Sequence, residues 1–289
     1  MRTEQNLQVI NAIAQKNFNP EILEKYTGYG GIGRELAEYD YYKKLNSIIP
    51  KAEIDKIKET TKTAYYTPEL LVKFIYQALD KLGFLGGNIL EPAAGNGAFM
   101  KHMPKNIRNN SKVTAIECEP VAFNILKALY PDIKSINNKL EDTILPNNSF
   151  DLVIGNPPYS AEKVIDERNP DLATSVLTDY FVARSVRLLK KGGVLAFVVN
   201  QYFLDMIRDH IRDVIAKEGA SLIAAYRMPD NIFTGARVTT DVIFITKGTN
   251  TNKWINTKPY RHQKQTKYIN EYYVNNPQNI LGNLDAINI

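Results

Sequence analysis

The spacing of hydrophobic residues predicts a helical beginning followed by alternating strands and helices. Residues 4–17 and 70–82 carry apolar side chains every three or four positions, which is typical of amphipathic helices. Thr67 and Pro68 precede the second segment and suit the start of a helix, with Thr67 as the N-cap. Both segments are therefore predicted to be helices.

Short apolar runs after residue 87 predict strands. These runs are Asn88–Glu91, Lys112–Glu117, Ile133–Ile136, Phe150–Gly155, Val194–Val199, Leu222–Arg227 and Asp241–Thr246. The helices predicted between them are Val121–Tyr130, 173–190 and 204–218. Strands that alternate with helices are typical of an α/β fold with a doubly wound, mostly parallel sheet. The short connection before the last strand predicts a terminal antiparallel pair.

Composition narrows the class of protein without deciding its function. The 289 residues are 44% hydrophobic and 23% charged, and no apolar run approaches the ~20 residues that span a bilayer. The N-terminal residues lack a signal-peptide pattern, and a single cysteine with three histidines disfavours a disulfide or a His/Cys metal site. We expect a cytoplasmic protein that binds neither membrane nor metal.

Charge draws attention to one segment near the C-terminus. The net charge of +5 does not indicate a polyanionic partner by itself. Basic and aromatic side chains interleave in this segment, however: Lys253, Trp254, Lys258, Tyr260, Arg261, Lys264, Lys267 and Tyr268. Such a segment suits phosphate contact with base stacking, or else forms a solvated polar tail.

Three parts are predicted along the chain. Residues 1–60 form a helical extension with a glycine-rich loop, 61–248 the α/β domain, and 249–289 a basic and aromatic tail. The loop holds four glycines from Gly28 to Gly33, but no strand precedes it and no Lys-Ser/Thr pair follows it. We therefore interpret it as structural rather than as a phosphate loop.

The segment Asn156-Pro157-Pro158-Tyr159 directly follows a predicted strand. Its prolines fix two φ angles and remove two backbone donors, so the Asn156 side-chain oxygen and nearby carbonyls remain as acceptors beside the Tyr159 ring. That set suits a planar amino group, which offers two N–H donors and a π-face. The ordinary alternative is a proline-rich turn between a strand and a loop.

A glycine-containing segment ends the first predicted strand, where ligands bind in doubly wound sheets. It runs Glu91-Pro92-Ala93-Ala94-Gly95-Asn96-Gly97-Ala98-Phe99, and its glycines let the backbone approach a ligand closely. The second strand ends at Glu117, an acid placed to accept hydrogen bonds from ribose hydroxyls. Together the two features predict a cofactor that contains a nucleoside.

The region from about 60 to 247 resembles class I S-adenosylmethionine-dependent methyltransferases of the DNA adenine-N6 type, which have a Rossmann-like sheet. The resemblance rests on segments in the gamma order: Ala64–Pro68, Glu91–Phe99 with Glu117, Asn156–Tyr159 and Asp230–Phe233. Two further segments, Lys25–Gly31 and Ile269–Tyr273, resemble methylase modules of methylase–helicase proteins carried by mobile elements and phages.

The resemblance implies a cofactor and assigns roles to residues. The cofactor is expected to be S-adenosylmethionine, bound by Tyr65, Tyr66, Thr67, Pro68, Glu91, Pro92, Ala93, Gly95, Gly97, Phe99, Glu117, Cys118, Glu141, Asp142 and Asn156. The catalytic residues are expected to be Asn156, Pro157, Pro158 and Tyr159, with Tyr159 and Phe233 stacking on a flipped base. The Asn156 oxygen and the Pro157 carbonyl would accept the two amino hydrogens of adenine, so that its nitrogen attacks the sulfonium methyl directly. The expected activity is adenine-specific methylation of DNA.

Some of these residues have a plainer interpretation. Phe233 also fits a core position, and Glu141 or Asp142 fits an exposed loop. Cys118 would be the nucleophile in a cytosine-C5 enzyme, but the glutamates on either side should raise its thiol pKa, and the chain has no Pro-Cys pair. We interpret Cys118 as a packing residue.

The source of sequence selectivity is not visible. Gamma enzymes carry a target-recognition domain much longer than the roughly 40 residues that follow Thr246. Selectivity is therefore expected to come from residues 1–60, from the basic tail or from a separate recognition or helicase subunit, or else to be lacking. The alternatives to a DNA methyltransferase are a protein glutamine N5- or RNA N-methyltransferase and a catalytically silent DNA-binding or regulatory subunit.

Overall fold

The computed structural model describes residues 2–27, 36–60, 66–207, 210–233, 238–248, 254–262 and 265–282. The predicted glycine-rich loop at Gly28–Gly33, together with Ala64, Tyr65, Lys253 and Lys264, lies outside the described residues. The roles assigned to those positions stay predictions.

Strands and helices alternate along most of the chain, as the hydrophobic spacing predicts. The described helices are Arg2–Ala14, Pro20–Leu23, Tyr39–Asn46, Lys51–Thr60, Glu69–Lys81, Ala98–Lys101, Lys105–Asn109, Pro120–Leu129, Leu177–Leu188, Tyr202–Asp205, His210–Lys217 and Glu271–Asn275, with 3-10 turns at Pro170–Leu172 and Pro277–Asn279. The strands are β1 (Gly87–Glu91), β2 (Ser111–Ile116), β3 (Lys134–Ile136), β4 (Phe150–Gly155), β5 (Leu189–Asn200), β6 (Ala220–Arg227), β7 (Thr240–Lys247), β8 (Thr257–His262) and β9 (Gln265–Asn270). None of the described helices is long and apolar enough to cross a membrane.

Seven strands form one sheet in the order β3-β2-β1-β4-β5-β7-β6, and β8 with β9 forms a separate antiparallel hairpin. β2 pairs with β3 and β4 with β5 in parallel, whereas β7 runs antiparallel to both β5 and β6. The apolar run Leu152–Ile154 in β4 is fully buried, as expected for a strand covered on both faces. The predicted doubly wound α/β sheet with a terminal antiparallel strand is confirmed, and so is the helical N-terminal segment.

Several predicted boundaries were wrong. The helix predicted over 173–190 ends at Leu188, because the chain continues directly into β5. β5 begins well before the predicted Val194, since lysines and glycines at its start interrupt the apolar run. The helix predicted over 204–218 is two shorter helices. Thr67 is not an N-cap: Pro68 holds that position and the helix starts at Glu69.

The chain divides into two compact units. The first comprises Met1–Leu85 with Leu90–Thr143, and the second Gly86–Ile89 with Ile144–Ile289. In the first unit the N-terminal helices share one apolar core with the helix Pro120–Leu129. Buried members of this N-terminal core are Val9, Ile10, Leu23, Tyr26, Tyr41, Leu45, Ile54, Ile57, Val121, Ala122 and Ile125. The N-terminal helices are therefore integral to the first unit.

An acidic side chain caps the start of the helix Pro120–Leu129 in the first unit. The Glu119 side chain accepts hydrogen bonds from the backbone N–H groups of Val121 and Ala122, both at 2.8 Å. Pro120 occupies the first helical position, where a missing N–H costs nothing. The cap satisfies donors that a helix start otherwise leaves free, and so determines where the loop after β2 ends.

In the second unit, residues 254–282 fold onto the sheet instead of forming a tail. Trp254 and Tyr273 are buried. Asn270 is also buried, and its Nδ2 donates to the carbonyls of Leu204 and Trp254 at 2.9 and 2.8 Å. Of the two alternatives for this segment, the solvated tail is therefore wrong for the described part, because buried apolar side chains and the Asn270 amide anchor it to the rest of the unit.

A buried ion-pair network joins β6 to β7. Arg227 donates from Nε and Nη2 to the two carboxylate oxygens of Asp241, each at 2.9 Å, and its Nη1 lies 2.8 Å from Asp205 Oδ2. The guanidinium also lies 4.5 Å from the centroid of the Tyr273 ring. Removal of one partner would leave a buried unpaired charge and would destabilise the second unit.

Candidate active site

Two glycines after β1 hold backbone conformations that other residues rarely adopt. Gly95 has φ +55° and Gly97 has φ +89°. A Cβ at Gly95 would lie 2.7 Å from Cε1 of Tyr66, and one at Gly97 would lie 2.5 Å from Cε2 of Tyr130. Conformation and space therefore both require glycine at these positions, and the space beside each glycine is filled by a tyrosine ring of the same unit.

Glu117 connects the loop after β1 with the loop after β2. Its Oε2 accepts a hydrogen bond from the Gly95 backbone N–H, and its Oε1 accepts one from that of Glu119, both at 2.7 Å. The Glu117 carbonyl accepts a further bond from Asn137 Nδ2 at 2.8 Å. The backbone and the side chain of Cys118 add hydrogen bonds to the Glu117 carboxylate, which is therefore well supplied with donors from the protein itself. Burial raises the pKa of Glu117, although these hydrogen bonds act in the opposite direction.

Glu91 is the buried acid at the end of β1. Its side chain is 1% exposed, and among the described residues no hydrogen-bond partner reaches its Oε2. Burial first, and then the charge of Glu117, raises the pKa of Glu91 well above its usual value. A buried oxygen without a partner carries a desolvation cost that a ligand donor would relieve. S-adenosylmethionine carries an ammonium group, so these acids and glycines fit that cofactor.

The other predicted cofactor residues differ in what surrounds them. The Tyr66 ring lies against Gly95, and Thr67 is buried before the N-cap Pro68. Phe99 is buried, and its carbonyl accepts the Tyr76 O–H at 3.1 Å. The rest span the range of exposure, with Pro92 buried, Ala93 and Glu141 half-buried and Asp142 exposed. Their contacts to a cofactor stay predictions.

Cys118 has no reactive thiolate. Burial raises its pKa to about 12, and the charges of Glu117 and Glu119 contribute in the same direction. The predicted effect of the neighbouring glutamates is confirmed, although burial is the larger cause. A thiol with this pKa stays protonated at neutral pH, which supports a packing role. Among the described residues no group of His, Cys, Asp and Glu side chains is arranged to hold a metal ion.

In the second unit, Asn156 and Tyr159 form a hydrogen-bonded pair directly after β4. The Tyr159 O–H lies 2.6 Å from Asn156 Oδ1, with the Val198 carbonyl as a second acceptor at 3.1 Å. Both side chains are half-buried. Burial, and less strongly the charge of Asp241, raises the pKa of Tyr159 well above its usual value, so its hydroxyl remains a neutral donor.

The two prolines are held from one side. Pro157 is buried, and the Pro158 carbonyl accepts a hydrogen bond from the Thr178 hydroxyl at 2.9 Å. Thr178 lies in the helix Leu177–Leu188, which follows the loop. The segment Asn156–Tyr159 therefore has the rigid backbone that the sequence predicts, with its acceptor side chain oriented by the tyrosine.

Phe233 lies in the second unit and is only 4% exposed. A ring that is covered to this extent cannot offer a face to a base unless neighbouring groups move away. Its stacking role stays a prediction, and its burial agrees with the plainer interpretation as a core residue.

Local motifs did not reveal Tyr26, Asn96 and Glu119 as members of the site. Asn96 Nδ2 donates to the Tyr26 carbonyl at 3.1 Å, and the Tyr26 O–H donates to Glu119 Oε2 at 3.4 Å. Glu119-Pro120 is a visible capping signal, because an acid precedes a proline at the first helical position. No such signal marks Tyr26, whose partners are 70 and 93 residues away.

Comparison with known proteins relates these features to one family. Residues 96–233 match the model of the Eco57I restriction-modification methylase family. The chain is 28% identical over 237 residues to "Defense against restriction protein B" of Escherichia phage P1, across 78% of this chain and 9% of that protein. It is 28% identical over 205 residues to "Type II methyltransferase M.TthHB8I" of Thermus thermophilus, across 63% of this chain and 44% of that enzyme.

A solved structure supports the fold. A putative class I S-adenosylmethionine-dependent methyltransferase from Listeria monocytogenes is similar with a TM-score of 0.55 at 14% identity, over 86% of this chain and 89% of that chain. The predicted resemblance to S-adenosylmethionine-dependent methyltransferases is confirmed at the level of restriction-modification methylases, while the adenine-N6 type stays a prediction. The fold and the family match imply S-adenosylmethionine as the cofactor. The chain spans less than half the length of the two relatives.

Proposed function

We propose that the protein transfers the methyl group of S-adenosylmethionine to the N6 amino group of an adenine flipped out of DNA. The observation that carries the proposal is the acceptor edge after β4, where the Tyr159 O–H holds Asn156 Oδ1 at 2.6 Å. The similarity to a "Type II methyltransferase" supports DNA as the substrate class. The edge offers two acceptors to an exocyclic amino group, and adenine is proposed because the motifs and their order resemble adenine-N6 enzymes.

Residues of the first unit bind the cofactor in this proposal. The glycine loop after β1 lies beside it, Glu117 accepts from the ribose hydroxyls, and Glu91 accepts from the ammonium group. When bound, S-adenosylmethionine supplies an electrophilic methyl group on a sulfonium ion. These residues orient the donor and take no part in bond making.

Residues of the second unit hold the acceptor. Asn156 Oδ1 has two lone pairs, so it accepts from the Tyr159 O–H and from one amino hydrogen of adenine at once. The Pro157 carbonyl accepts the second hydrogen. Both bonds draw the nitrogen lone pair out of conjugation with the ring, and positioning then favours direct transfer. No general base is needed, because the cationic product loses its proton readily.

The flipped base would be held by stacking. Removing a base from the duplex costs a few kcal/mol, and stacking on the Tyr159 ring offsets part of that cost. Phe233 would contribute a second face once its ring is uncovered.

The central test measures transfer of labelled methyl from S-adenosylmethionine to DNA, to RNA and to a glutamine-containing protein. We expect transfer to adenine in DNA. Asn156→Ala should lower it at least about 100-fold, the order seen when one preorganised hydrogen-bonding group is lost from a reacting centre. Asn109→Ala, which changes an exposed asparagine of the first unit, should leave transfer unchanged.

Transfer to RNA or to the glutamine substrate without transfer to DNA would overturn the proposal. Binding of cofactor and DNA without turnover would instead favour the silent-subunit alternative. Mapping of modified adenines in a mixed DNA library would give base and sequence preference together.

Selectivity is proposed to require more than this chain. The relatives are longer than the matched region, which supports a recognition part in a separate subunit or a longer polypeptide. A cytoplasmic location suits an enzyme that acts on DNA. The similarity to a phage protein supports the predicted link to mobile elements.

A further inference from the structure

Tyr26 links the N-terminal helices to the proposed cofactor loop after β1 by direct contacts. It follows the short helix Pro20–Leu23 and is 3% exposed within the N-terminal core. Its environment is therefore set by packing on the helix Pro120–Leu129, which begins directly after the β2 loop.

Two polar contacts join Tyr26 to the loops after β1 and β2. Its carbonyl accepts a hydrogen bond from Asn96 Nδ2 at 3.1 Å, and Asn96 stands between the two left-handed glycines. Its hydroxyl donates to Glu119 Oε2 at 3.4 Å, on the acid that caps the next helix. One buried residue thus contacts both loops.

A third contact runs through Tyr66. The Tyr26 and Tyr66 rings are 6.1 Å apart between centroids and inclined at 50°. The Tyr66 ring in turn occupies the space beside Gly95, where a Cβ would come within 2.7 Å of it. Gly95 donates its N–H to Glu117 at 2.7 Å, so the chain of contacts ends at the proposed ribose acid.

We propose that Tyr26 is a positioning residue for cofactor binding. It holds Asn96 and Tyr66, and through them the conformation of Gly95 and Glu117. The inference rests on the proposed function, because it takes this loop as the S-adenosylmethionine site. It gives the helices before residue 60 a role in cofactor affinity, separate from any role in DNA selectivity.

The test measures the affinity for S-adenosylhomocysteine by calorimetry, which needs neither DNA nor turnover. Tyr26→Leu keeps an apolar side chain but loses the ring and the hydroxyl, and should raise the Kd about tenfold. Asn96→Ala removes the donor to the Tyr26 carbonyl and should raise it about fivefold. Tyr26→Leu keeps the backbone carbonyl that Asn96 bonds, so the two changes remove different contacts to the same loop. Combined, they should act less than additively, because both contacts hold that loop. Tyr26→Phe keeps the ring and loses only the hydroxyl, and should have a Kd within about twofold of wild type.

Tyr41→Leu is the matched control, because Tyr41 is buried in the same N-terminal core. It should lower thermal stability much as Tyr26→Leu does while leaving the Kd unchanged. In steady-state assays Tyr26→Leu should raise the KM for the cofactor and leave kcat at saturating cofactor and the KM for DNA unchanged. Asn96→Ala serves as the second variant, since it removes a loop side chain without entering the core.

Wild-type affinity in Tyr26→Leu and Asn96→Ala, or an equal loss in Tyr41→Leu, would overturn the inference. Absence of S-adenosylhomocysteine binding by the wild-type protein would overturn both this inference and the proposed function. Binding with the expected pattern, but without methyl transfer to DNA, would support the inference and contradict the proposed substrate alone.

Discussion

The hydroxyl and the ring of Tyr159 serve different purposes in the proposed site. The ring offers an aromatic face, while the O–H holds the acceptor oxygen of Asn156 at 2.6 Å. Because burial raises the pKa of Tyr159 well above its usual value, the hydroxyl keeps its proton throughout the neutral range. Mutation can therefore separate stacking from orientation of the amide.

Tyr159→Phe should lower kcat about tenfold with little change in the KM for DNA, because the ring stays but the bond to Asn156 is lost. Tyr159→Ala should lower kcat further and raise the KM for DNA, because the stacking face is lost as well. Steady-state methyl transfer measures both effects, and Tyr202→Phe, an exposed tyrosine of the same unit, serves as the control. Identical kinetics for Tyr159→Phe and Tyr159→Ala would contradict separate roles.

Buried acids make the first unit sensitive to pH. Burial raises the pKa of Glu91, Glu117 and Glu119, in the last case to about 7 from 4.5. A carboxyl whose pKa is higher in the folded chain favours folding in its protonated form. Its contribution is complete below the unfolded pKa and is lost as pH rises through the folded pKa. The stabilising contribution of Glu119 is therefore lost as the pH rises from 4.5 to about 7.

We expect the free energy of unfolding, measured by urea denaturation, to fall between pH 5 and pH 8. Glu119→Gln cannot ionise and should reduce that fall by up to roughly 3 kcal/mol, the value of a pKa difference of this size. Glu59→Gln, an exposed glutamate on the helix Lys51–Thr60, should leave the fall unchanged. The same pH dependence in wild type and Glu119→Gln would refute the assignment.

Among the secondary-structure elements, the β8–β9 hairpin presents the exposed positive charge of the second unit's C-terminal part. Lys258, Arg261 and Lys267 are exposed on it, and the strands contain no acidic residue. Trp254, predicted to stack on bases, is buried instead. Lys258 Nζ lies 3.1 Å from Glu271 Oε1, so its charge is partly balanced, whereas no ion pair is found for Arg261 or Lys267 among the described residues. The hairpin thus offers positive charge for phosphate contact, and the buried indole is not offered to a base.

A triple change of Lys258, Arg261 and Lys267 to Gln should weaken DNA binding. Each lost phosphate contact should also lower the slope of log K against log salt by about 0.9. Fluorescence anisotropy at several salt concentrations measures both quantities. The matched control changes Lys43, Lys44 and Lys51 to Gln, which are exposed lysines of the first unit. Equal weakening by both triple variants would mean that only net charge matters.

The elements that sequence predicted well are those with a local signal. β4 has the predicted bounds because its apolar residues, interrupted only by Asp151, end at Gly155 directly before Asn156 and two prolines. The β8–β9 hairpin escaped prediction because Pro259 and three basic residues hide any alternation in its strands. The Asn270 side chain donates hydrogen bonds to carbonyls that are 66 and 16 residues away in the sequence. No spacing rule predicts contacts between such distant positions.

In the candidate site, too, residues with a local sequence signal were predicted and residues that depend on long-range contacts were not. Gly95, Glu117 and Asn156 could be predicted because each lies in a short motif at the end of a strand. Tyr26 could not, because its role arises from packing between helices that are distant in sequence. Long-range contacts of this kind depend on how the helices pack, which single-sequence patterns do not record.

At the scale of the whole molecule, the N-terminal helices behave as part of the first unit's core. Deletion of residues 1–60 would remove Leu45 and Ile54 and expose Val121 and Ile125. Each such side chain contributes about 1.5–3 kcal/mol by burial, and a domain is stable by only about 5–15 kcal/mol. The truncated chain should therefore be insoluble or unfolded.

Soluble yield and circular dichroism check this expectation. Leu45→Ala is a milder change in the same core. It should lower the free energy of unfolding by about 2–5 kcal/mol while leaving the chain folded. A soluble truncated chain that binds S-adenosylhomocysteine would show that the predicted boundary at residue 60 separates independent domains.

In the proposed function, contact between the cofactor and the buried Glu91 oxygen would link the lifetime of the protein to the supply of that cofactor. Glu91 Oε2 lacks a hydrogen-bond partner among the described residues, and a ligand that provides the donor binds only the native chain. Such a ligand stabilises the native chain in proportion to the logarithm of its concentration. Chains without it unfold more often and are exposed to proteases for longer. A cell that runs short of methyl donor would then contain less of the protein. Shortage of the cofactor would lower the amount of enzyme as well as its activity.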